Sequence, residues 1–139
     1  MILSKLVIAQ RQLEVAARLY VDGADYLAVV TLAGAAEEIL GSLLRRTGQE
    51  AMIDRIVEMD RELTGGRPFS VVNAEVNRAR NALKHAREAD EDTVAIEPGE
   101  ATAMLGRALV NYNRLAGQLS PAMLLVYQKL AAEVSDDAR

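Results

Sequence analysis

Cysteine and tryptophan are absent from this sequence, and its 139 residues include only one histidine and one phenylalanine. Without cysteine the chain has no disulfide, no thiolate metal ligand and no cysteine nucleophile. Aromatic residues make up 4% of the chain, so it offers few flat side chains on which bases of single-stranded RNA could stack. Its apolar half is rich in alanine, leucine, valine and methionine, a mixture that favours helix over sheet.

Long uninterrupted apolar runs are also missing, so the sequence predicts no transmembrane span. The first ten residues carry one lysine and a short apolar run, but they lack the cleavage site of a signal peptide. We therefore expect a cytoplasmic protein that does not engage a membrane. Sixteen basic residues face twenty acidic ones, and this net charge of −4 argues against a general nucleic-acid coat.

Helical spacing of apolar residues recurs along most of the chain and predicts six successive helices. The second, at about Tyr26–Arg46, is apolar nearly all round in its first half, which indicates the buried centre of a bundle. The fourth should begin near Ser70 and continue through His85, and residues 93–96 should be briefly extended. We predict an all-α antiparallel bundle of four to six helices. It should form one domain over residues 1–139, with a core at about 3–119 and a C-terminal helix at about 121–134.

Positive charge is concentrated in one part of the chain. Residues 67–87 contain five basic residues and one acid, so this segment carries +4 and the remainder −8. Within it, Asn77, Arg80, Asn81 and Lys84 would share one face of the predicted fourth helix, with His85 adjoining that face. We expect these groups to converge on one point.

The residue types in this stretch suit chemistry on a phosphate. Arginine offers a planar fork of donors that matches a phosphate, and lysine adds a second charge. Histidine changes its protonation near neutral pH and can act as a general acid or base. The candidate catalytic residues are therefore Arg80, Asn81 and His85. The candidate binding residues around them are Asn77, Arg78, Lys84 and Arg87.

The segment Arg80-Asn81-Ala82-Leu83-Lys84-His85 resembles the Arg-x(4–6)-His signature of the HEPN superfamily, in which a polar residue commonly follows the arginine. The resemblance is to small bacterial HEPN-like proteins, and it implies a small helical bundle that dimerises with its motif helices facing each other. Many HEPN proteins are metal-independent endoribonucleases of toxin–antitoxin or defence systems. Others are inactive and serve as RNA-binding or interaction modules.

Carried onto this chain, the resemblance gives Arg80 the role of stabilising charge on the phosphorane and His85 that of assisting the 2′-hydroxyl attack or the leaving group. Asn81 would be a positioning residue. Glu37 or Glu38 would orient a basic partner across the bundle. Because one chain supplies one Arg–His pair, a working site of this kind needs a homodimer.

The same residues also allow simpler, non-catalytic interpretations. His85 could simply form hydrogen bonds at a helix end, and Arg80 and Lys84 could be a solvated basic face paired with an acidic loop at residues 88–92. The acids of that loop do not have the spacing of an EF-hand, so we expect no metal and no cofactor.

Two functional hypotheses follow from the sequence. The favoured one is a non-catalytic HEPN-like module that binds RNA, a nucleotide, or a protein such as a cognate antitoxin. The alternative is a metal-independent endoribonuclease that uses Arg80 and His85 across a homodimer.

Overall fold

Helices form the regular structure of this protein. The computed structural model describes residues 1–65, 67 and 69–137, without the side chains of residues 64, 69 and 134–137. Within these ranges there is no strand, and the prediction of an all-α protein is confirmed. The helices are α1 (Lys5–Val21), α2 (Tyr26–Arg46), α3 (Met52–Thr64), α4 (Phe69–Val76), α5 (Arg78–Ala82), α6 (Pro98–Ala116) and α7 (Pro121–Asp137). Residues 93–96, predicted to be extended, form no strand.

Helix α2 lies at the centre of the core, as its apolar sequence predicted. It packs mainly against α1 and α6, and its valines and leucines at positions 29, 30, 40 and 44 are fully buried. It begins where Asp25 accepts a hydrogen bond from the backbone N–H of Leu27 at 2.9 Å. This helix is also long enough to span a membrane, and an 18-residue window within it has a mean hydropathy of 1.7, although the sequence had indicated no such stretch. Half of that window is buried inside the protein, which accounts for its apolar character.

The remaining helices complete the core around α2. Leu13 of α1, Leu105 and Leu109 of α6, and Met123 and Val126 of α7 are fully buried in one cluster. Helix α7 contacts both α1 and α6. It therefore contributes to the same core as the helices before it.

The predicted fourth helix is in fact two short helices. Asn77 separates α4 from α5, and α5 ends at Ala82, three residues before His85. In a continuous helix the carbonyl of Val76 would accept from the N–H of residue 80. Here that carbonyl accepts instead from Nη1 of Arg107 on α6, at 3.2 Å. A side chain inserted into the backbone ladder is a known cause of a helix break.

Helix α3 is attached to its neighbours by polar contacts at its first turn. The backbone N–H of Met52 donates to Oδ1 of the fully buried Asn111 at 2.9 Å. Asp54 accepts two hydrogen bonds from the guanidinium of Arg45, at 3.0 and 2.6 Å. These contacts join α3 to α6 and α2, beside the cavity described next.

Candidate functional site

Arg80, the central residue of the predicted motif, points into the protein. Only 7% of its surface is exposed. Its side chain crosses α2 at Gly34, where an added Cβ would lie 2.6 Å from Cδ and 2.7 Å from Cγ of Arg80. A glycine is therefore required on α2 for Arg80 to reach the interior.

Glu37 of α2 receives Arg80 at the end of this path. Nη1 of Arg80 donates to Oε2 of Glu37 at 3.1 Å, and Nη2 of Arg107 donates to Oε1 at 2.9 Å. The same Nη2 donates to Oδ1 of Asn77 at 3.0 Å. All four residues are at least 93% buried. We call Glu37, Asn77, Arg80 and Arg107 the buried ionic cluster.

The cluster contains two guanidiniums and one carboxylate. Burial lowers the pKa of Arg107; the carboxylate of Glu37 counters part of this shift, and the charge of Arg80 adds to it. Among the residues that the structure describes, Nε of Arg80 and Nε of Arg107 are buried without a hydrogen-bond partner. A cavity of about 190 Å³ adjoins the cluster, and its polar lining also includes Glu38, Ser42, Arg45 and Asn73.

His85 and Asn81 lie outside this cluster. Both are exposed, and they line a different cavity, of about 290 Å³, together with Asp90, Glu91 and Val94. His85 follows the end of α5 and is not on the helix that carries Arg80. For the single chain, the predicted convergence of the motif residues on one point is wrong, because α5 ends before His85 and Arg80 turns inward. The residues concerned are Asn77, Arg80, Asn81, Lys84 and His85.

The other basic residues of the segment mostly face acids. Arg67 pairs with Asp60 and Glu75. Arg78 pairs with Glu100 of α6 at 2.6 Å and also donates to the carbonyl of residue 95. The sequence left open that Arg80 and Lys84 pair with the loop at residues 88–92; in the structure both instead lie 3.9 Å from Glu38, and Arg80 also pairs with Glu37.

The acidic loop contacts the backbone at Arg87, whose N–H donates a hydrogen bond to the carboxylate of Glu91 at 2.9 Å. Much of the local positive charge predicted as a binding patch is thus neutralised within the chain.

Lys84 borders a groove along α2. The floor of this α2 groove is formed by Ala35, Ile39 and Leu43, and its volume is about 460 Å³. Three cations line it, namely Lys5, Arg46 and Lys84. Glu38 also lines the groove; its side chain is 60% exposed and lies 3.9 Å from Nζ of Lys84 and from Nη1 of Arg80. The groove is therefore apolar within and positively charged at its edge.

Arg107 and Asn111 were missed by the sequence analysis. They lie one helical turn apart on α6, interleaved with the buried apolar residues of that helix. Polar side chains within an apolar stripe are the signal that could have found them. The carboxylate of Glu37, placed in the middle of the most apolar helix, was the matching signal, because a buried charge requires a partner.

No protein-family model, curated protein or solved structure matches this chain.

Proposed function

We propose that this chain is a non-catalytic HEPN-like interaction module that binds an acidic amphipathic helix of a partner protein in the α2 groove. The observation that carries the proposal is the position of Arg80. Its guanidinium is held by Glu37 inside the protein, while His85 is exposed and lines another cavity. Such an arrangement supports a structural role for Arg80 and leaves the surface free for binding.

The groove supports a helical peptide as the ligand. Ala35, Ile39 and Leu43 are spaced by one helical turn each, so the apolar floor extends for about 12 Å. Helices bind such grooves through apolar residues spaced by three or four positions. The cations Lys5, Arg46 and Lys84 favour carboxylates on either side of those anchors.

RNA is the less supported ligand. The arginines of the basic segment at positions 67, 78 and 80 are each paired with acids of the chain. Among the side chains that the structure describes, no aromatic one lines the α2 groove. Phosphate neutralisation and base stacking, the two main contributions to single-strand binding, therefore have little basis on this surface.

Binding can be tested with a synthetic helical peptide that carries leucines at i and i+4 flanked by glutamates. We expect it to bind the wild-type protein, and a version with lysines in place of the glutamates to bind much more weakly. Lys84→Glu should weaken binding by about tenfold, equivalent to about 1.4 kcal/mol. Arg55→Glu makes the same charge change at an exposed position outside the groove and should leave the affinity unchanged. Equal affinities in all three proteins would contradict the proposed groove.

Catalysis is tested separately, with labelled RNA in the absence of added metal. We expect no cleavage that depends on His85. Because His85 is exposed, His85→Ala should fold as the wild type does. RNA cleavage by the wild-type protein that is lost in His85→Ala would overturn the non-catalytic proposal. The homodimer and the cytoplasmic location stay predictions from the sequence.

A further inference from the structure

The buried ionic cluster lacks negative charge. Arg80 and Arg107 share the single carboxylate of Glu37, whose two oxygens each accept from one guanidinium. Within the buried cluster one positive charge is in excess, and the next carboxylate, that of the 60% exposed Glu38, lies 3.9 Å from Nη1 of Arg80. An uncompensated buried charge is strongly unfavourable, so a protein normally places an opposite charge beside it.

Among the described residues, the charged groups bordering the cluster supply only part of that counterion. Arg45 forms a bidentate pair with Asp54. Glu38 lies 3.9 Å from both Arg80 and Lys84, so these two cations share one carboxylate that is 60% exposed. The four cations around the cavity therefore face three carboxylates, and one positive charge remains in excess.

The adjoining cavity offers both space and donors for an anion. Its volume, about 190 Å³, is roughly six times the ~30 Å³ share of one water molecule. Both guanidiniums line it, and in the described part of the chain neither Nε has a hydrogen-bond partner. Ser42 and Asn73 add polar side chains to the wall.

We propose that this cavity binds a small oxyanion, either inorganic phosphate or the terminal phosphate group of a larger ligand. Guanidiniums bind tetrahedral oxyanions through paired N–H donors, and the anion would neutralise the remaining charge of the cluster. This site shares Glu38 and Ser42 with the α2 groove, but it does not depend on the proposed peptide partner. It also differs from the predicted catalytic arrangement, since Arg107 and Asn73 contribute to it and His85 does not.

Asn73→Asp is the decisive variant. Oδ1 of Asn73 accepts a hydrogen bond from Nδ2 of Asn77 at 3.0 Å, and an aspartate keeps that acceptor while adding one negative charge. The variant should therefore fold, and its own carboxylate should replace the anion. Asn113→Asp makes the same substitution at an exposed position of α6 outside the cavity and is the matched control.

Thermal unfolding would be followed with increasing sodium phosphate, against sodium chloride at matched ionic strength. The Tm of the wild-type protein and of Asn113→Asp should rise by about 4 °C at ten times the Kd. Asn73→Asp should have a higher Tm than the wild type in chloride and a much smaller response to phosphate. Ser42→Asp, which places a carboxylate at the α2 side of the cavity, should also lose the response.

The outcomes distinguish specific anion binding in the cavity from a general salt effect. Phosphate stabilises many proteins by exclusion from their surfaces, and that effect would be equal in all four proteins. An equal rise in Asn73→Asp and wild type, or no rise in the wild type, would overturn the proposal. If the site is present, a response to inorganic phosphate alone identifies a free anion as ligand, whereas an added response to AMP identifies a phosphate group on a larger molecule.

Discussion

Replacing Gly34 by alanine should destabilise the protein, although glycine in the middle of a helix is less favourable than alanine by about 0.5–1 kcal/mol. The added Cβ would lie 2.6 and 2.7 Å from two carbons of Arg80. These distances are about 1 Å shorter than an optimal carbon–carbon contact. Arg80 cannot move aside freely, because Glu37 holds its guanidinium at 3.1 Å.

The expected size of the effect follows from these opposing contributions. Overpacking a buried site costs about 1–3 kcal/mol, and displacement of Arg80 from Glu37 places this case near the upper end. After the gain in helix propensity, the net loss in the free energy of unfolding should be about 2 kcal/mol. Urea unfolding followed by circular dichroism measures it.

Gly106→Ala is the control for this prediction. Gly106 lies within α6, and the nearest atom to an added Cβ there is Cδ1 of Leu130, at 4.0 Å. This variant should be more stable than the wild type by about 0.5–1 kcal/mol. If Gly34→Ala were stabilised to the same extent, Arg80 could not lie against α2, and the description of the cluster would be refuted.

Two further predictions concern the attachment of α3. Asn111→Ala should lower the free energy of unfolding by about 1–3 kcal/mol, because the N–H of Met52 loses its buried acceptor. Asn113→Ala, at an exposed position on α6, should change it by less than about 0.5 kcal/mol, and equal losses would contradict the role of Asn111. The hydrogen bonds from Arg45 lower the pKa of Asp54, so the stabilisation is present above the ordinary value of 3.8 and is lost as the pH falls through the folded value. Urea midpoints at about pH 6 and about pH 3 should therefore differ less in Asp54→Asn than in the wild type, and an unchanged difference would count against this pairing.

Much of the helical architecture follows from local sequence signals. Tyr26–Arg46 begins and ends where the capping residue Asp25 and the two terminal arginines indicate. The apolar residues on all sides of its first half predicted its central position, because a helix without a polar face must be covered by others. Both signals lie within the helix itself and need no knowledge of its neighbours.

The arrangement at the site depends on contacts between distant parts of the chain. The break at Asn77 follows from a hydrogen bond between Arg107 and the carbonyl of Val76, two residues that are 31 positions apart. The inward path of Arg80 requires Gly34 on another helix. Regular helical spacing at residues 70–86 therefore predicted a continuous helix and a shared face, while the tertiary contacts separate Arg80 from His85.

The central claim is that Arg80 is an interior partner of Glu37. A double-mutant cycle tests it most directly, with Glu37→Gln, Arg80→Gln and the combined variant measured by urea unfolding. Glu37→Gln leaves the guanidiniums of Arg80 and Arg107 without their shared carboxylate, so it should lose about 3–5 kcal/mol. Arg80→Gln leaves Glu37 paired with Arg107, so it should lose less, about 1.5–3 kcal/mol for a hydrogen bond between charged groups. The combined variant should lose less than the sum of the two, with a coupling energy of about 1–3 kcal/mol. Additive losses, with coupling below about 0.3 kcal/mol, would contradict the claim and place the guanidinium of Arg80 away from Glu37 in solution.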